Sequence, residues 1–225
     1  MTGGLGAVLF DMDGLLVDSE PLWFEAERTV MARLGSPWTP ADQHHLLGST
    51  LERGVAYMLG KAARPADPAL VGHWLVEAVT GLVTTRGVPL LPGAAELLAE
   101  VAAAGVARAL VTSAQRRFMT AVLAATGLEF ALTVCGEDVS RGKPDPEPYL
   151  RAAALLGEPP GSCVVLEDSA TGIAAAEAAG CPVIAVPSVP LPPRPGRPVA
   201  RSLAEVDLPR LREVAAGFAA GSPSG

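Results

Sequence analysis

Ala7-Val8-Leu9-Phe10 is a short, wholly apolar run that stops abruptly at Asp11. It lacks the apolar–polar alternation of a strand with one wet face, so it reads as a strand buried on both faces. Further runs follow the same plan: Ala107-Arg108-Ala109-Leu110-Val111, Ala131 to Val134, Cys163-Val164-Val165-Leu166 and Val183-Ile184-Ala185-Val186. Helical patterns lie between them, over Pro92 to Ala104, Arg116 to Thr126, Pro146 to Leu156 and Thr171 to Ala179. Helices alternating with short apolar strands imply βα units, a parallel sheet and right-handed crossovers.

Between the first and second strands the periodicity is helical throughout. Pro21 opens a pattern of Leu22, Phe24, Ala26, Val30 and Leu34 that stops at Gly35. Thr39-Pro40-Ala41-Asp42 reads as an N-cap with proline at the first helical position. Leu51 to Leu59 and Ala69 to Val83 continue it. The expected fold class is therefore α/β: a Rossmann-like parallel-sheet core with a small all-helical cap inserted after the first strand. The expected domains are 1–17 with 88–225 for the core, and 18–87 for the cap.

Composition excludes several classes of function. With 49% hydrophobic residues in 225, the chain can bury a full core, and with 4% aromatic it must do so largely with aliphatic contacts. A net charge of −7 argues against a nucleic-acid surface, which needs a clustered basic face. It is compatible with a small phosphorylated metabolite, because a local cation reverses the potential inside a pocket. Cys135, Cys163 and Cys181 match neither a zinc spacing nor a disulfide framework and are expected to be inert core thiols. His44 and His45 are expected on an exposed helix face, and His73 and Trp74 in cap structure. No apolar run approaches the roughly 20 residues of a membrane span, and no signal-peptide pattern opens the chain. A cytoplasmic location is expected; nothing demands a dimer, so a monomer is expected. The proline-rich stretch from Pro187 to Pro198 reads as a surface loop before a last strand and helix, and the terminal Gly-Ser-Pro-Ser-Gly as disordered.

Polar residues stand at the same end of the core strands: Asp11 and Asp13 after the first, Thr112 and Ser113 after the second, Lys143 in the loop after the third, Glu167 and Asp168 after the fourth. In open parallel sheets ligands bind outside the carboxyl ends of the strands, so this set should converge. Any one of these signals alone is weak, since Asp-x-Asp-Gly is often a turn and Glu-Asp-Ser often a helix start. Four in order, each at a strand end, point to phosphoryl transfer. Asp11 can act as a carboxylate nucleophile and Asp13 as the acid and base that serves the leaving oxygen and then water. Hard oxygens suit Mg2+, held by Asp11, the Asp13 main-chain carbonyl and Asp168, with Glu167 contributing through water. Lys143 can balance the phosphoryl charge, Thr112 and Ser113 can contact its oxygens, and Gly14 permits a tight turn that frees main-chain N–H groups.

These segments resemble the haloacid dehalogenase superfamily of phosphohydrolases. Phe10-Asp11-Met12-Asp13-Gly14-Leu15-Leu16-Val17-Asp18-Ser19-Glu20 is similar to its first motif, Leu110-Val111-Thr112-Ser113 to the second, Gly142-Lys143-Pro144 to the third and Leu166-Glu167-Asp168-Ser169 to the fourth. The resemblance spans residues 7 to about 187. It implies a Rossmann-like core with a helical cap, Asp11 as nucleophile and Asp13 as acid and base. The subgroup resembled contains β-phosphoglucomutase and phosphatases of 2-deoxyglucose 6-phosphate and hexitol phosphates, and Asp18-Ser19-Glu20-Pro21-Leu22-Trp23 is nearest the latter. The mutases carry a histidine and an arginine where this chain aligns Trp23 and Leu51, which favours hydrolysis over mutase activity. The resemblance also implies that Glu20, Trp23 and the turn of Gly48 and Ser49 select the substrate. The alternatives are a β-phosphoglucomutase-type mutase, a receiver-type phospho-aspartate signalling domain and a catalytically dead sugar-phosphate sensor.

Overall fold

The computed structural model describes residues 4–46, 48–192 and 194–221. The chain folds into two compact units: Met1–Asp18 with Pro89–Ala114 and Leu128–Gly225, and Ser19–Val88 with Gln115–Gly127.

The first unit is built on five parallel strands, β1 (Ala7–Phe10), β2 (Ala107–Val111), β3 (Leu132–Val134), β4 (Cys163–Glu167) and β5 (Val183–Ala185). Their order is β3-β2-β1-β4-β5, which places β1 at the centre. Phe10 is in register with Leu110 on one side and Leu166 on the other, so the residues just past these three strands share one edge of the sheet. All four residues of β1 are fully buried, as expected for a strand covered on both faces. Ala7 and Leu9 join one cluster with Tyr149, Ala152 and Ala153 of α7 (Glu147–Leu156) and Ile173, Ala175 and Ala176 of α8 (Ala170–Ala178). The small alanines let these helices lie close to the sheet. Val8 and Phe10 alternate to the opposite face and are no less buried. Helices α5 (Ala94–Ala103) and α9 (Leu208–Gly221) complete this unit.

The second unit is helical among the described residues: α1 (Glu20–Arg33), α2 (Pro40–Leu46), α3 (Leu51–Lys61), α4 (Pro68–Arg86) and α6 (Arg116–Thr126). Val30, Met31 and Leu34 of α1, Val55 and Met58 of α3, and Val71 and Leu75 of α4 form its core with Trp38. Each fully buried side chain of this kind contributes roughly 1.5–3 kcal/mol by leaving water. The start of α2 is a reciprocal cap. The Thr39 N–H and hydroxyl donate to Asp42 Oδ2 at 2.9 and 2.7 Å, and the Asp42 N–H donates to Thr39 Oγ1 at 3.4 Å. Asp67 caps α4 by accepting from the N–H groups of Ala69 and Leu70.

Two expectations at the end of the chain are altered. The last strand after the proline-rich segment is reduced to a single bridge between Val199 and Ala185, because only the Ala185 N–H to Pro198 O and Ala200 N–H to Ala185 O bonds form. Of the terminal Gly-Ser-Pro-Ser-Gly, Gly221 is the last residue of α9, while 222–225 lie outside the described residues, as do Leu47 and Pro193. The three cysteines are free and buried, and burial pushes their thiols up to about 12, 11 and 12 for Cys135, Cys163 and Cys181. His44 and His45 are exposed on α2.

Candidate active site

The register of β1 with β4 brings Asp11, Glu167 and Asp168 together. Asp11 directly follows β1, and its N–H donates to Leu166 O at 3.1 Å, extending the ladder by one residue. Glu167 ends β4 and Asp168 begins the turn into α8. One carboxylate oxygen from each of Asp11, Glu167 and Asp168 lies within 4.8 Å of the others, and all three residues are buried.

Lys143 reaches this cluster from the loop before α7. Its Nζ donates to Asp11 Oδ1 at 2.6 Å, to Glu167 Oε1 at 2.5 Å and to Val111 O at 2.9 Å. Burial works against the ammonium, but Asp11 and Glu167 outweigh it and hold its pKa above the ordinary lysine range. Burial raises the Asp11 carboxyl well above the usual carboxylate range; Lys143 opposes this, while Glu167 and Asp168 add to it. Asp168 is pushed up to about 7 by burial and by Glu167, against the hydrogen bond from Ser188 Oγ to its Oδ2 at 2.6 Å.

Glu167 is wholly buried and hydrogen-bonded at both oxygens. Oε1 accepts from Lys143 and from the Tyr149 hydroxyl at 2.7 Å, and Oε2 from the Ser169 N–H at 3.2 Å and hydroxyl at 3.0 Å. Ser169 also caps α8 by accepting from the Gly172 N–H at 3.0 Å. A Cβ at Gly172 would lie 1.7 Å from Glu167 Oε1, so glycine is what lets the carboxylate lie against the first turn of the helix.

The loop after β1 is folded tightly. The Leu16 and Val17 N–H groups both donate to Met12 O, and the Gly14 N–H donates to Val17 O. Asp13, half-buried, forms a bridge with Val17. Gly14 adopts a φ of +77°, and a Cβ there would lie 2.3 Å from Asp168 Oδ2. Thr112 is buried, and its Oγ1 accepts from the Ala114 N–H at 3.0 Å, which leaves its own hydroxyl proton to donate. Ser113 is exposed.

The remaining expected residues belong to the second unit. The Gln43 Nε2 group donates to Glu20 Oε2 at 2.6 Å. Trp23 packs edge-on against Phe118, with ring centroids 5.1 Å apart. Gly48 turns with a φ of +69°, and the Ser49 N–H donates to Leu46 O.

The sequence pointed to neither Tyr149 nor Ser188. In Lys143-Pro144-Asp145-Pro146-Glu147-Pro148-Tyr149 the tyrosine reads as a helix-core aromatic, and its only signal is that a fully buried phenol needs a hydrogen-bond partner. Ser188 is hidden in the proline-rich stretch, two positions past the last β5-like residue.

When ionised, the three buried carboxylates carry more negative charge than the single Lys143 ammonium neutralises. An all-oxygen donor set with surplus charge suits a hard divalent cation, and these residues fit Mg2+. The structure thus defines an α/β protein with an acid–lysine centre at the carboxyl edge of a parallel sheet. The chain belongs to the haloacid dehalogenase-like hydrolases, whose sequence model matches residues 5–180, and it is an enzyme. It is 34% identical to hexitol phosphatase B of Escherichia coli (strain K12) over 215 residues, covering 93% of this chain and 94% of that protein. It is 38% identical to a phosphorylated carbohydrates phosphatase of Thermotoga maritima over 176 residues, covering 77% and 81%. The crystal structure of CbbY from Rhodobacter sphaeroides in complex with phosphate superposes with a TM-score of 0.84 at 30% identity, covering 92% of this chain and 99% of that one. No helix among the described residues is long and apolar enough to cross a membrane.

Proposed function

We propose that this chain is a Mg2+-dependent phosphatase that hydrolyses small phosphomonoesters, of sugars or polyols, through an aspartyl-phosphate at Asp11. The observation that carries this is the Asp11 carboxylate at the centre of the sheet edge, with Lys143 Nζ at 2.6 Å and Asp168 beside it. The names of the relatives support the sugar and polyol class.

Asp11 attacks phosphorus through one carboxylate oxygen and the substrate alcohol leaves with a proton from Asp13; water, deprotonated by Asp13, then attacks the acyl phosphate and regenerates Asp11. Lys143 lies where its ammonium can offset charge on the phosphoryl oxygens, and Thr112 offers its hydroxyl proton to one of them, with exposed Ser113 beside it. Asp11, the Asp13 carbonyl and Asp168 are the residues that would hold Mg2+, which when bound supplies charge neutralisation and orients the phosphoryl group. Glu167 has both oxygens engaged by Lys143, Tyr149 and Ser169, so its part is to hold Lys143.

Residues 18–87 act as a cap in this reading, and Glu20, Trp23, Gly48 and Ser49 choose the substrate. Trp23 and Leu51 stand where a mutase needs cationic side chains for a second phosphate, so the phosphoryl group passes to water. The enzyme works as a cytoplasmic monomer on free metabolites. Phosphate release from a panel of sugar, polyol, glycolate and nucleotide monophosphates, with Mg2+ and with EDTA, identifies the class. Asp11→Asn should abolish turnover of the best substrate and Asp13→Asn should slow it severely. Wild-type-like turnover by Asp11→Asn would sink the mechanism.

A further inference from the structure

We propose that Tyr149 is a positioning residue for phosphoryl transfer: its hydroxyl pins Glu167, and through Glu167 it fixes the Lys143 ammonium against Asp11. This rests on the phosphatase reading above.

Tyr149 is fully buried on α7 and is one of only two tyrosines in the chain. A phenylalanine would fill the same space without burying a polar atom, so the hydroxyl must be accounted for by its partner. That partner is Glu167 Oε1, at 2.7 Å, the same oxygen that receives Lys143 at 2.5 Å. A carboxylate offers about four acceptor positions. Here Lys143, Tyr149, the Ser169 N–H and the Ser169 hydroxyl occupy them, and Gly172 closes the space behind. Glu167 therefore has one orientation.

Lys143 has three N–H donors, spent on Val111 O, Glu167 and Asp11. Val111 O and Glu167 do not change during catalysis. Asp11 does: once its oxygen is esterified by phosphorus its negative charge is gone, and the third donor can turn to a phosphoryl oxygen. The Tyr149 ring, with its centroid 4.9 Å from Nζ, adds a cation–π contact that helps hold the ammonium in place. By sharing Oε1, the hydroxyl also limits how strongly Glu167 draws Lys143 away from Asp11. Without it, Oε1 becomes the stronger acceptor, and Lys143 shifts toward Glu167.

The test compares wild type with Tyr149→Phe, which keeps the ring and removes the hydroxyl, and with Tyr57→Phe as a control. Tyr57, the other tyrosine, donates to Asp42 in the second unit at 2.9 Å. On the best substrate, Tyr149→Phe should lose about tenfold in kcat, the usual scale for a partner of an active-site group, with KM within twofold. Tyr57→Phe should keep wild-type kcat. The Lys143 ammonium, assigned in 15N–1H spectra by its loss in Lys143→Met, should shift in Tyr149→Phe and stay in place in Tyr57→Phe. An unchanged kcat, a change confined to KM or an unmoved ammonium signal would each overturn the proposal. Failure of the phosphatase reading looks different, since wild type itself would then release no phosphate. The ammonium signal alone would then decide whether Tyr149 sets the place of Lys143, and an unmoved signal would still refute it.

Discussion

Lys143 and Asp11, 132 residues apart in sequence, meet with Nζ 2.6 Å from Oδ1 in the buried edge of the sheet. Removing the ammonium leaves Asp11 and Glu167 as buried acids without their counter-charge. Losing one member of such a pair costs about 3–5 kcal/mol. Lys143→Met should therefore be inactive and also clearly less stable in EDTA by denaturant unfolding. An inactive variant with wild-type stability would mean that the ion pair has no structural role.

The surplus charge of the three clustered carboxylates makes a second prediction. Bound Mg2+ should stabilise the wild type by mass action, by about 2.7 kcal/mol at a hundred times the dissociation constant, and so raise its thermal midpoint. Asp168→Asn removes one of the clustered charges and should lose most of that rise, with Mn2+ binding weakened in parallel. Equal Mg2+ stabilisation of both proteins would place the ion elsewhere.

Stability should also depend on pH through Glu27, on α1. Its carboxyl is buried, accepts from Trp38 Nε1 at 2.8 Å and is pushed up to about 7, mainly by burial and further by Glu20, against the Trp38 bond. Between its ordinary value and about 7 the folded state holds a proton that the unfolded state has released. The contribution is thus fully present below the ordinary carboxylate range and is lost as pH rises through about 7, on the order of 3 kcal/mol. Glu27→Gln retains an acceptor for Trp38 and removes the titration. The difference in unfolding free energy between variant and wild type should grow in the variant's favour from pH 5 to pH 8. A pH-independent difference would show that Glu27 does not titrate in this range.

Much of the fold was legible because the local signals agreed with one another. Uninterrupted apolar runs marked the strands, and the Thr39-Pro40-Ala41-Asp42 cap appears as an actual reciprocal pair of hydrogen bonds. Element ends moved by a residue or two, as with β3 beginning at Leu132 rather than Ala131. The last strand shrank to one bridge at Val199, since strand pairing depends on what the partner strand leaves unpaired and composition does not record that.

The sequence by itself determined which side chains stand at strand ends, and hence that Asp11, Thr112, Lys143 and Asp168 would share one edge of a parallel sheet. That followed from chain direction, which is a local property. Only the tertiary structure decided how Glu167 is used. Its neighbour Asp168 carries the same charge one position on, yet Glu167 turns inward to Lys143, Tyr149 and Ser169 while Asp168 meets Gly14 and Ser188. The reason is geometric. The hydrogen-bond partners of the Glu167 carboxylate are gathered at once from the loop before α7, from α7 itself and from the cap of α8, and no reading along one segment contains them.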